Sequence, residues 1–230
     1  MPIVCTFGRL LGQPATLPEE GLCDYAFYEF HYQPYGSPNF LNPNHLLLQR
    51  YMNATRRRRK TQYGLGFTPF DLGDFQYQLT VVDVNSLIKI FWDARIYHYG
   101  MLTVAHVTTV SDLTLILNIL QLCYKHLRKG NVSVDEDAQI VRVIDAKTSD
   151  VITYDNEDTL RLKLCTMKGN YTKLHYGLAV YDVDHDDLAN NCIGQSRYEG
   201  YSRLKMINKL NEFFRSYLTA ADEENCLRMY

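Results

Sequence analysis

Apolar and polar positions divide the chain into an irregular first third and a regular remainder. From residue 76 onward, short runs rich in β-branched and aromatic side chains read as strands over 76–81, 87–92, 95–99 and 101–110. Ser111 and Asp112 then cap a helix predicted over 111–129, apolar on nearly every side and stopped by Gly130. Residues 140–144 and 151–154 read as a hairpin, Leu160, Leu162 and Leu164 alternate with Arg161 and Lys163 as a further strand, and Leu174, Tyr176, Leu178 and Val180 alternate in the last one. The short turns between these runs predict antiparallel pairing. A closing helix over 197–218 places Tyr201, Leu204, Ile207, Leu210, Phe214 and Tyr217 in one stripe.

Ahead of this lies an irregular region over 1–73, where all seven prolines fall. Its aromatic segment 23–32 has strand composition. Asn42 and Pro43 start a helix over 42–60, with Leu46, Leu47, Leu48, Tyr51 and Met52 as its apolar face. The helix ends in Arg56, Arg57, Arg58, Arg59 and Lys60. Cations at a helix C-terminus gain only a few tenths of a kcal/mol each, and five in a row repel one another. An anionic partner and a solvated tail both stay open as readings of the cluster.

Composition narrows the classes. A net charge of −2 argues against a dedicated nucleic-acid binder. The longest apolar stretch, 113–122, contains Asn118 and Gln121 and runs into Lys125, so no membrane span is expected. The N-terminus has neither a basic leader nor a long apolar run, which predicts a chain without a secretory signal. Six scattered cysteines with no Cys-x-x-Cys pair are then expected as reduced thiols. On the same premise Asn53-Ala-Thr, Asn131-Val-Ser and Asn170-Tyr-Thr read as chance matches to the glycosylation pattern.

No catalytic set emerges. Asp182, Asp184 and Asp186 resemble the start of a calcium loop, but Asp187 stands where the turn glycine belongs and Ile193 where the bidentate glutamate belongs. These three aspartates remain the metal candidates, beside His185, and a solvated acidic turn is the simpler reading. Gly64-Leu-Gly66 lacks the third glycine of a dinucleotide fingerprint. Gly194-Gln-Ser196 is followed by Tyr198 where a nucleophile elbow needs glycine. His98, His106, His126 and His175 read as structural; a hydrolase using His98, His175 or His185 is the least favoured reading.

Lys129-Gly-Asn-Val-Ser-Val134, then Leu178-Ala-Val180, Ile193-Gly194 and Phe213-Phe-Arg-Ser-Tyr217 follow in the order of similar segments in the polyhedrins of cypoviruses. The chain resembles that family over about residues 129–218. The resemblance implies an α+β fold: an antiparallel β-sandwich core with flanking helices and an N-terminal helical arm. Residues 1–73 would then carry the arm at 42–60, and 74–230 the core with helices 111–129 and 197–218. It further implies a structural protein without catalytic activity or required cofactor. Trimers would pack into a crystalline occlusion body in the host cytoplasm, embed virions and dissolve in alkali. Nucleotides can occupy such lattices, and no membrane is involved.

Composition fits alkaline dissolution. Eighteen tyrosines outnumber ten phenylalanines and one tryptophan. Complete titration of tyrosine, cysteine and lysine would carry the charge from −2 to about −36. Tyr176, Tyr181, Tyr198, Tyr201 and Tyr217 are the expected alkali-sensitive groups. Residues 56–60 are the expected assembly or anionic-partner contact. The alternative function is a soluble binding module that uses this basic segment to hold RNA or an acidic protein.

Overall fold

The computed structural model describes residues 2–7, 17–29, 42–67, 72–81, 83–101, 131–147, 149–172, 177–181, 183, 186–187, 198–216 and 222–229. In chain order the elements are β1 (Ile3–Phe7), β2 (Tyr25–Glu29), α1 (Leu46–Thr55), β3 (Gln62–Phe67), α2 (Leu72–Val81), α3 (Val84–Asp93) and β4 (Ile96–Met101). They continue with β5 (Asn131–Asp135), β6 (Ile140–Asp145), β7 (Asp150–Tyr154), α4 (Glu157–Asn170), β8 (Leu178–Val180), α5 (Ser202–Arg215) and α6 (Asp222–Leu227). The chain divides into two compact units, one of Pro2–Leu113 with Gly177–Asp184, the other of Thr114–Tyr176 and His185–Tyr230.

The first unit holds a five-stranded sheet in the order β4-β3-β2-β1-β8, with every pairing parallel. This overturns the expected antiparallel sandwich. Parallel neighbours need crossovers of about a dozen residues or more, and residues 8–24, 30–61 and 68–95 supply them. Burial alternates along β2, at Ala26 and Tyr28, and Ile3, Cys5 and Phe7 of β1 point to one face. The central stretch 63–66 of β3 is buried without a break, the pattern of a strand covered on both faces. Gly64 is required by this crowding: an added Cβ would lie 2.4 Å from Phe27 Cε1 and 2.7 Å from the carbonyl oxygen of His98.

The helix expected as an arm packs instead on this sheet. On α1, Leu48, Tyr51, Met52 and Thr55 are buried. The Tyr51 hydroxyl donates to the carbonyls of Ala26 at 2.7 Å and Gly64 at 3.2 Å. Its ring stacks on Tyr28 with centroids 5.3 Å apart and meets Tyr63 edge-on at 6.1 Å. Residues 76–81 and 87–92, expected as strands, belong to α2 and α3. Asp83 caps α3 by accepting from the backbone of Asn85 and Ser86 and from the Ser86 hydroxyl at 2.6 Å. Leu87 and Phe91, four residues apart, are the buried positions of α3.

The second unit contains the expected hairpin, β6 with β7, extended by β5 into an antiparallel sheet of order β5-β6-β7. Residues 160–164, expected as a strand, lie within α4. There Asn156 and Thr159 form a reciprocal capping box, each side chain accepting from the other's backbone N–H at 2.9 and 3.0 Å. The closing helix is present as α5. Its Met206, Leu210 and Phe214 form a core with Cys165 of α4 and Cys226 of α6.

Two disulfides among the described residues correct the expectation of reduced thiols for four of the six cysteines, and Cys123 and Cys192 lie outside the described residues. Cys5 joins Cys23 with Cα atoms 6.0 Å apart, and Cys165 joins Cys226 at 5.7 Å. Both spacings suit an unforced bridge. No helix among the described residues is long and apolar enough to cross a membrane. The helix expected over 111–129 lies outside the described residues, as does all of the strand expected over 101–110 except Met101, which ends β4.

Candidate functional site

Residues 56–60 connect the end of α1 to the start of β3, at the amino edge of the parallel strands. Arg56 caps α1 through its backbone N–H to the Met52 carbonyl, and Arg58 N–H follows to the Thr55 carbonyl at 3.0 Å. The guanidinium of Arg58 turns back to the 17–20 segment, donating to the Pro18 carbonyl and to the Leu17 carbonyl at 3.2 Å. Glu20 closes the turn from the other side. One of its carboxylate oxygens accepts the backbone N–H of Arg59 and, at 2.5 Å, that of Lys60. The Lys60 stem lies along Gly21, where φ is +97°.

Neighbouring bonds tie this turn into the sheet. Thr61 donates its hydroxyl to the Cys23 carbonyl at 2.9 Å and accepts from Gly21 N–H at 3.1 Å. Asp24 accepts the Ile3 N–H at 2.7 Å through its side chain. The Cys5–Cys23 bridge joins the same two segments covalently. Arg58 is therefore a structural cation, while Arg56, Arg57, Arg59 and Lys60 are exposed. Arg56 also borders an open cleft of about 330 Å³ with Pro43, Asn44, Gln49, Met52, Asn53 and Ile90.

The opposite, carboxyl edge is where parallel α/β sheets gather ligands. The strands reach it at Phe7, Glu29, Phe67, Met101 and Val180. The chain beyond the first four of these lies outside the described residues.

The other expected site residues fall apart from this turn. Asp186 is buried and bound to Arg203 Nε at 2.8 Å, so its carboxylate serves an ion pair. Asp182, Asp184 and His185 lie outside the described residues, as do His106, His126 and His175. Among the described residues no group of three or more His, Cys, Asp or Glu could hold a metal. His98 shares a 2.6 Å hydrogen bond with Gln62 and stands edge-on to Tyr25.

Of the tyrosines expected to answer alkali, Tyr176 and Tyr217 lie outside the described residues and Tyr181 is 55% exposed. Tyr198 accepts from Lys209 Nζ at 3.2 Å, with that ammonium 4.7 Å from its ring centre. Tyr201 is buried at the start of α5 with φ +63°. Burial displaces the ionisation of other tyrosines. Burial, followed by the nearby Tyr63, pushes the Tyr51 hydroxyl well above its usual range. Burial raises Tyr63 too, with Arg58 pulling it back. Tyr154 rises through burial and the Glu157 charge. Tyr99, 40% exposed at the residue level, is pushed up to about 12 by desolvation of its hydroxyl.

Sequence reasoning missed Glu20, the carboxylate that orients the basic turn. It is about 40 residues away in the chain, with no local signal. It also missed both cysteine pairings, which spacing alone cannot assign. No family model matches the chain, and comparisons with curated proteins and with solved structures find no match.

Proposed function

We propose that this chain is a binding protein that docks an acidic protein surface through Arg56, Arg57, Arg59 and Lys60. The observation that carries this reading is the division of labour within the basic run. Arg58 and Glu20 hold the backbone, and four cations are left facing solvent on a chain of net charge −2. A fixed turn loses little backbone entropy on binding. A cluster of like charges raises the local concentration of an acidic partner and speeds encounter. The two disulfides favour a protein partner over RNA, because such bridges persist where nucleic acid is scarce.

The test compares the native chain with a variant carrying Arg56→Ser, Arg57→Ser, Arg59→Ser and Lys60→Ser, leaving Arg58 in place. Affinities for a polyglutamate peptide and for a single-stranded RNA are measured across salt concentrations. The reading expects the peptide to bind, with an affinity that falls as salt rises and a loss of tenfold or more in the variant. Equal binding by both proteins rejects it. Preferential, strongly salt-dependent RNA binding would transfer the same turn to a nucleic-acid role.

A second reading is a self-assembling occlusion-body matrix, trimers packed around virions in the host cytoplasm, with nucleotides as lattice guests. The raised ionisation of Tyr51, Tyr63, Tyr99 and Tyr154 supports an alkaline trigger. It ranks second for two reasons. The described residues contain no antiparallel sandwich, and disulfides are rare in the cytosol. Expression in insect cells decides it: intracellular crystals that dissolve above about pH 10 support it, and protein that stays dispersed at high concentration removes it.

A further inference from the structure

We infer that this chain matures in an oxidising secretory compartment and carries N-linked glycans at Asn53, Asn131 and Asn170. Two independent features meet here. The first is the pair of disulfides, Cys5–Cys23 and Cys165–Cys226, one in each compact unit. All four sulfur-bearing residues are buried within packed cores. Each bridge forms when two thiols lose two protons and two electrons to a disulfide oxidant of the secretory lumen.

The second feature is where the three Asn-x-Ser/Thr sites fall. Asn53 stands exposed on α1, between buried Met52 and buried Thr55, at the border of the open cleft beside Arg56. Asn170 is exposed at the end of α4, followed by exposed Tyr171. Asn131 opens β5, one of the two outer strands of the antiparallel sheet, where Val132 and Val134 are exposed as well. An outer strand with bare valines invites pairing with another chain, and natural proteins cover such edges. A glycan on Asn131 stands on the face opposite these valines and hinders another strand from docking at the start of that edge. None of the three sites has proline in its middle or following position.

The modification is a group transfer from a lipid-pyrophosphate-linked oligosaccharide. The asparagine side-chain nitrogen bonds to the anomeric carbon, the bond from that carbon to the pyrophosphate oxygen breaks, and the lipid pyrophosphate leaves with the electron pair. The nitrogen gives up one proton to base. Transfer precedes folding, which accommodates Thr55: in the folded chain its hydroxyl is occupied by the Ala94 carbonyl at 2.5 Å.

The experiment uses the full chain isolated from the cells that make it. Half is treated with peptide N-glycosidase in heavy-oxygen water, and both halves are alkylated without reductant before peptide mass analysis. The expected result is heavy-labelled aspartate at positions 53, 131 and 170, with Cys5, Cys23, Cys165 and Cys226 protected from alkylation. Unmodified asparagine at all three positions overturns the proposal, and so does alkylation of those cysteines. Neither readout depends on what the basic turn binds.

Discussion

The hydroxyl of Tyr51 donates to the carbonyl of Gly64 across 3.2 Å, joining α1 to the middle of the parallel sheet. Packing around this bond makes both residues necessary. A side chain at position 64 would strike Phe27 and the His98 carbonyl, and the tyrosine ring fills the space between α1, Tyr28 and Tyr63. Tyr51→Phe should cost about 1–2 kcal/mol by removing a buried donor shared by two carbonyls. Gly64→Ala should cost about 1–3 kcal/mol through overpacking. Denaturant titration measures both, and a neutral Gly64→Ala would show that the sheet is looser than these distances state.

Alkali should unfold the chain progressively. Below about pH 10 tyrosine is protonated in both the folded and unfolded states. Above that value the unfolded state releases protons that buried Tyr51, with its raised ionisation, retains. The unfolded chain then binds fewer protons, so stability falls as pH rises. Tyr99 adds to the loss up to about pH 12, less strongly because its residue is 40% exposed. Circular-dichroism melts should be level from about pH 7 to 9 and decline above about 10. Tyr51→Phe should decline less steeply, and parallel slopes in the two proteins would assign the loss to other groups.

Within the basic run, position matters more than charge. Arg58→Ala should destabilise by about 1–3 kcal/mol, because it abandons the carbonyls of Leu17 and Pro18. Arg57→Ala should stay within about 0.5 kcal/mol, as exposed substitutions do. Glu20→Gln keeps an acceptor for the Arg59 and Lys60 N–H groups but loses its charge, so it should fall between them. Equal melting temperatures for the Arg58 and Arg57 variants would remove the latch from the account.

The Cys165–Cys226 bridge spans 61 residues and Cys5–Cys23 spans 18. Loop-closure entropy assigns them roughly 4 and 3 kcal/mol respectively. Paired replacement, Cys165→Ala with Cys226→Ala, should therefore lower the melting temperature more than Cys5→Ala with Cys23→Ala. The four bonded cysteines also cannot ionise, which takes four units from the charge that alkali could add.

Local chemistry was legible where it dominates. The hairpin of β6 and β7, the start of β2 and the stripe of α5 follow from alternation and helical spacing. Three helical segments were misread as strands for one shared reason. Short apolar runs such as Leu160–Arg–Leu–Lys–Leu164 satisfy both periods, and the cap decides between them. The Asn156–Thr159 box and the Asp83–Ser86 cap were present in the sequence, but their weight shows only when each side chain is seen accepting a backbone N–H.

The sequence by itself determined the supply of groups: the run of five cations, the tyrosine surplus, six cysteines and three glycosylation patterns. Tertiary structure decided how each is used, because every such assignment depends on a partner far along the chain. Glu20 and the Leu17 carbonyl select Arg58 as the structural cation, and Ala26 and Gly64 select Tyr51 as the protected hydroxyl. Parallel pairing was likewise invisible locally. A strand carries the same residues whichever way its neighbour runs, and only the packed crossovers set the direction.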